Sequence, residues 1–272
     1  MAREPSGRPR AHRTSVDRNR LGDSRDERLV VLSRQARARD GVSRPGGPAA
    51  GAEEDRVSDE PRSLDTRNKI LEVAEGEFAR AGYDGAHLQR IAEQVGVQKT
   101  ALYYYFPSKA ALYTAVLLRM LEAFEAAVRT ATEGPGSPNE RLERLLAVLN
   151  DLLAERRNYS QILIRVFVDR AQLLDELLNP PIQSVIGRIL RFYQEGVEAG
   201  AFRRMSSRHF FQSLLGATVF HYAARNFSAG VLGVDDIFTH SSVNWRREEL
   251  AKMLKQGVLL SPEERGQGPE KA

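Results

Sequence analysis

Lys99, Thr100, Tyr103 and Tyr104 gather one ammonium and three hydroxyls into six positions. Such a set of donors suits an oxygen-rich, anionic partner such as the backbone and base edges of a DNA duplex. Placed on a helix at about 100° per residue, residues 99–106 divide into two faces. Ala101, Leu102, Tyr105 and Phe106 fall on one, and the four donors fall on the other. The first face can complete a small core with Leu88, Ile91 and Val95. Lys99 and Thr100 stand in the first turn, the part of a recognition helix that enters a major groove. Pro107 disfavours helical geometry at Phe106 and ends the helix. Ser108 can cap the next one, whose N-terminal amides, with Lys109 beside them, make a phosphate clamp.

Catalytic chemistry has no comparable foothold. The five histidines, His12, His87, His209, His221 and His240, show no HExxH spacing. No phosphate loop of the GxxxxGK[ST] type occurs, and the absence of cysteine removes thiol nucleophiles, disulfides and thiolate metal sites. His209 and His221 read as packed or capped side chains. The expectation is therefore a protein that is not an enzyme and carries no metal or cofactor.

These donors need a scaffold, and the sequence supplies one made of helices. From Asp65 onward Leu71, Ala74, Phe78 and Ala81 recur at helical spacing, and Gly82 suits a left-handed C-cap. Leu88, Ile91, Ala92 and Val95 make a second, short apolar face, which Gly96 interrupts just before Gln98-Lys99-Thr100. Two short helices joined by a glycine-led turn form a helix-turn-helix pattern. A long helix follows, from Ser108 to about Thr132. Ser137-Pro138-Asn139-Glu140 restarts the next with a capping box and a proline at the first position. Apolar stripes through Leu142–Leu153, Ile162–Leu178 and Ile182–Val197, a stretch at 206–226, a looser stretch at 227–243 and a last helix at 244–256 complete an all-α reading.

Composition agrees with a folded chain: 42% of the 272 residues are hydrophobic and 28% charged. The formal net charge of +4 allows an anionic partner without requiring one. Residues 1 to 62 read differently, with thirteen arginines and no lysine up to Arg56 and no sustained apolar period. They are expected to be a disordered basic extension, either an arm that touches nucleic acid nonspecifically or an idle tail. No run reaches the roughly 18 apolar residues of a membrane span, and the expected location is cytoplasmic.

The segment from about 65 to 112 resembles the DNA-binding domain of the TetR/AcrR transcriptional regulators. The resemblance lies in "ILEVAEGEFARAGYDGAHLQRIAEQVGVQKTALYYYFPSKAALY", most specifically in its "GV.K..LY.YFPSK" portion. It implies a three-helix reading head, residues 63–110, joined by a long helix to a helical ligand-binding and dimerisation domain, residues 111–258, with a disordered tail at 259–272. It further implies a homodimer on a palindromic operator, released by a small-molecule effector. Gln89, Lys99, Thr100, Tyr103, Tyr104 and Lys109 are then the contacting positions, with His87, Gln98 and Ser108 beside them. His87 and Gln98 replace the usual hydroxyl-bearing caps, and Arg90 stands where an acid is frequent. A glutamine at 89 or 98 can read adenine by a bidentate contact.

The C-terminal half is less diagnostic. Phe124, Phe167, Arg170, Phe192 and His221 are candidates to line an effector cavity. By position in the chain, Phe210, Leu214, Leu215, Thr218, Tyr222, Leu250, Met253 and Leu254 are candidates for a dimer interface. The competing reading is a helical interaction protein whose helix-turn-helix does not bind DNA specifically.

Overall fold

The computed structural model describes residues 54–169 and 179–260. The expected extension as far as residue 53, Arg170 and the tail from residue 261 lie outside the described residues. Within the described residues the chain is helical, apart from one isolated antiparallel bridge between Phe202 and Leu259.

Helix α1, Glu54–Gly85, begins inside the segment read from sequence as extension. It breaks at Gly82, where φ is 70° and ψ is −179°. The positive φ expected there is present. The extended ψ, however, makes the residue a break within α1 and not a closing cap. Helix α2, Leu88–Val95, ends at Gly96, which at φ 84° and ψ 30° turns the chain left-handed. The N–H groups of both Gly96 and Val97 return to the Ala92 carbonyl at 3.0 Å, so the turn satisfies its own helix end. Helix α3, Lys99–Tyr105, stops at extended Phe106, as Pro107 requires.

Helix α4, Lys109–Glu133, leaves this head and enters the body. Ser108 caps it by accepting from the Ala111 N–H at 3.0 Å. Helix α5, Pro138–Glu155, starts with the anticipated capping box: the Ser137 N–H donates to Glu140 at 2.7 Å, and the Glu140 N–H donates to Ser137 Oγ at 3.3 Å. Then follow α6, Tyr159–Asp169, α7, Asn179–Glu198, and α8, Ser207–Ala223. The stretch read as loose contains a further helix, α9, Arg225–Leu232. The last, α10, His240–Val258, opens at a Thr239 cap that accepts from the Ser242 N–H.

Helix α4 lies against α5 and α7, α5 supports α10, and α8 packs across α5, α6 and α7. Ile70 and Phe78 of α1, Ile91 of α2, Leu102 of α3 and Leu112 of α4 close the core of the head. Burying side chains of this size is worth about 1.5–3 kcal/mol each, which is how three short helices hold one geometry.

Candidate nucleic-acid interface

The two faces deduced for α3 are present. Leu102 and Phe106 are buried and Ala101 and Tyr105 half-buried, whereas Lys99, Thr100, Tyr103 and Tyr104 are exposed. Tyr104 is 82% exposed and Tyr103 43%, so both hydroxyls are open to an incoming partner. The Tyr104 ring packs edge-on against Tyr105 at 5.4 Å, an apolar rest that limits its sweep. Leu102 and Phe106 anchor the helix from the other side. The donor face is thus held by the side it does not show.

What orients α2 is a buried carboxylate that the sequence reading missed. Glu77 of α1 accepts from the backbone N–H of His87, at the mouth of α2, and pairs with Arg80 at 2.8 Å and Arg90 at 3.7 Å. Burial pushes its carboxyl up, but the Arg80 hydrogen bond, the His87 N–H and the charges of Arg80 and Arg90 outweigh this and hold it below the usual carboxylate range. Arg90, out of place by family pattern, is thereby employed. The available signal was an acid three residues after Ala74, on the inward face of α1.

The flanking candidates take more particular places. His87 and Gln98 stand at the N-caps of α2 and α3, exposed, and neither side chain makes a cap bond. Gln89 is exposed and donates to Glu93 at 2.9 Å, a bond that must open before its amide can read a base. Lys109 is half-buried, donating to the Asp84 carbonyl at 3.0 Å with its ammonium 5.0 Å from the Tyr83 ring. That ammonium already clasps the end of α1.

Two further links tie the head to the body. Glu75, also buried, accepts from Arg119 of α4 at 2.8 Å and from Asn158, just before α6, at 3.1 Å. Arg165 of α6 donates to the carbonyls of Ala79 and Arg80, both at 3.1 Å, and lies against Gly82, where a Cβ would come within 3.2 Å of its guanidinium.

In the body, α4, α5, α6, α7 and α8 line a partly open cavity of about 160 Å³. Of the cavity candidates, Phe124 and Phe167 line it. Phe192 does not: it is buried edge-to-face on Phe202, 5.5 Å between ring centres, with Arg141 over its face. His221 turns away as well, into a separate hollow walled by Phe220, Phe227 and Arg246. There its Nε2 and the Arg246 Nε are buried with no partner among the described residues. Burial, and then the Arg246 charge, press the imidazole down to about 4.

The interface candidates also need correction. Phe210, Leu214, Thr218 and Tyr222 recur every four residues along α8, and that stripe is buried within the subunit, as is Leu250 on α10. Tyr222 donates to Asn150 of α5 at 2.9 Å, which fixes the stripe inward. Leu215 and Leu254 are half-buried, and of the eight only Met253 is exposed. The apolar surface lies elsewhere: Phe220, Phe227, Val231 and Trp245 expose about half or more of their surface.

Residues 70–116 match the family model described as bacterial regulatory proteins, tetR family. They run from the buried core of α1 through the donor face of α3 to the first turns of α4. The chain belongs to the TetR family. The HTH-type transcriptional regulator RutR of Escherichia coli O157:H7 is 27% identical over 204 residues, covering 72% of this chain and 92% of RutR. The likeness therefore extends past the head. A putative fatty acid metabolism regulator from Clostridium perfringens superposes with a TM-score of 0.59 at 25% identity, over 71% of this chain and all of that one. KstR2 of Mycobacterium tuberculosis shares the fold, with a TM-score of 0.59 at 18% identity over 72% of this chain and 95% of KstR2. These relatives are regulators, and this TetR-family chain is a DNA-binding transcriptional regulator of the same kind. No described helix is long and apolar enough to cross a membrane.

Proposed function

We propose that this TetR-family regulator acts as a homodimeric repressor, which holds a palindromic operator through two copies of the α2–α3 head and lets go when a small molecule enters the body. The observation that carries the reading is the exposed face of α3, with Lys99, Thr100, Tyr103 and Tyr104 open while Leu102 opposite them is fully buried. Lys99 and Thr100 enter the major groove; the tyrosine hydroxyls and the α4 amides behind Ser108 hold phosphates. Repression follows from occupancy, because covering a promoter needs no further contact surface.

Dimerisation draws on the apolar surface of α8, α9 and α10, where Phe220, Phe227, Val231 and Trp245 stand exposed. A second copy is the occupant that a palindrome requires. Two heads engage both half-sites only when about one helical turn, 34–36 Å, or another groove-matched distance separates them. A ligand that binds better to the mismatched spacing releases DNA by as much as that preference and no more. The cavity touches α4, which leads into the head, and α6, which is fastened to α1 through Arg165.

The test is a titration of labelled DNA from around the gene at several salt concentrations. Log affinity should fall linearly with log salt, with a slope of roughly −0.9 for each phosphate neutralised, and Lys99→Ala should weaken binding. Tyr103→Ala should weaken binding about tenfold, or about 1.4 kcal/mol, with the dimer intact by ultracentrifugation. Unchanged affinity in both variants refutes the contact assignment.

A further inference from the structure

Along α1 the buried stripe of Ile70, Leu71, Ala74 and Phe78 runs back one turn to Arg67. An apolar side chain would be the simple choice at that position. Arg67 is instead half-buried, with its guanidinium over the ring of Phe106, 5.3 Å from the centroid. Its hydrocarbon stem extends the stripe, while the charge stays at the rim of the core. Other arginines of this region are engaged: Arg80 and Arg90 pair with Glu77, and Arg119 with Glu75. Among the described residues Arg67 has no ion pair and no side-chain hydrogen bond beyond its contact with the ring.

Phe106 decides where this cation stands. Its ring is buried at the end of α3, its backbone is extended, and Pro107 and Ser108 lead from it directly into α4. Arg67 and the first amides of α4, assigned to phosphate above, therefore flank one corner of the head. A guanidinium can rest a face on an aromatic ring while its in-plane N–H fork takes two oxygens of a phosphate. The ring then fixes the fork before DNA arrives, so less side-chain freedom is lost on binding. Arg67 lies outside the candidate contacts read from sequence, which all fall between His87 and Lys109.

We infer that Arg67 is a further DNA-contacting residue of the head, its guanidinium held on Phe106 and its N–H fork taking a backbone phosphate beside the start of α4. The inference rests on the DNA-binding reading above and adds α1 to the elements that touch the duplex. A phosphate contact carries no sequence information. Its loss must therefore weaken all duplexes alike.

The test uses the full chain, titrated at several salt concentrations against labelled DNA from around the gene and against a scrambled duplex of the same length. Arg67→Met keeps a stem on Phe106 and removes the charge. It should lower affinity for both duplexes by a similar factor, about five- to tenfold, and flatten the fall of log affinity with log salt by roughly 0.9 for each head bound. Arg67→Lys keeps a cation without the fork; it should retain the slope and stay within about threefold of the unmodified protein. Where the urea midpoint shows the methionine variant to be unfolded, Arg67→Gln takes its place. An unchanged slope in the neutral variant, or a loss confined to the gene's own DNA, makes Arg67 a support for Phe106 alone and overturns the inference. Failure of the DNA-binding reading looks different: the unmodified protein and every variant then bind neither duplex.

Discussion

The reading head and the body of this regulator are finished to different degrees. In the head, Ile91 and Leu102 are completely buried, Gly96 closes the end of α2, Ser108 caps the start of α4, and the outward face of α3 is polar. In the body a void stays open between α4 and α7, polar atoms of Glu125, His221 and Arg246 are buried without partners among the described residues, and an apolar patch of Phe220, Phe227, Val231 and Trp245 is exposed. A part that must present the same donors to every operator gains from a closed core. A part that must respond gains from being incomplete, because on the proposed reading a ligand and a second copy each contribute what is missing.

On that contrast, the head should tolerate loss of volume worst. Leu102→Ala should cost about 2–5 kcal/mol and abolish operator binding. Leu215→Ala, at a half-buried wall of an existing void, should cost roughly 1–2 kcal/mol at most; urea denaturation of both variants makes the comparison, and equal losses would erase it.

The next effect is specific to the body and depends on pH. The folded-state imidazole of His221 titrates near 4, below its ordinary 6.5. As pH falls through that window the unfolded chain takes up a proton that the native chain refuses. Stability is therefore complete above pH 6.5 and declines toward pH 4, by on the order of 1–3 kcal/mol. Denaturant midpoints at pH 7 and pH 4.5, at fixed protein concentration, should show the drop, and His221→Phe should remove most of it. A drop of the same size in that variant would assign the acid sensitivity elsewhere. Smallest of all, Val185→Phe should partly fill the void and raise stability by about 0.5–1 kcal/mol, a gain visible as a higher thermal midpoint.

The same contrast governs how much could be read from residue order. The head was legible because its determinants are local: a glycine at the turn, a proline after Phe106, and an apolar face on α3 opposite its donors. Gly82 was correctly given a positive φ, but the Arg165 guanidinium that lies against it comes from more than 80 residues away and left no local signal. Glu77 was missed because its partners, His87 and Arg90, meet it only in three dimensions. In the body, α8 is apolar on two sides, through Phe210–Tyr222 and again at Phe220, and periodicity alone cannot choose which side turns inward. The stripe chosen from sequence for the interface is the one that turns inward. Phe192 and His221 were misassigned to the cavity for a related reason: a void is defined by several helices at once and leaves no trace in any one of them.

The grip of Arg165 on the Ala79 and Arg80 carbonyls has one more consequence. Helix α6 carries Leu163, Val166 and Phe167 into the cavity wall and, from its other side, holds the end of α1. A methionine at 165 would keep most of the hydrocarbon stem and let go of those oxygens. Such a protein would still recognise its inducer and its promoter, each at near-normal strength, yet neither event would be felt by the other. The phenotype would be a deaf repressor, permanently seated, whose defect no single-ligand assay would reveal.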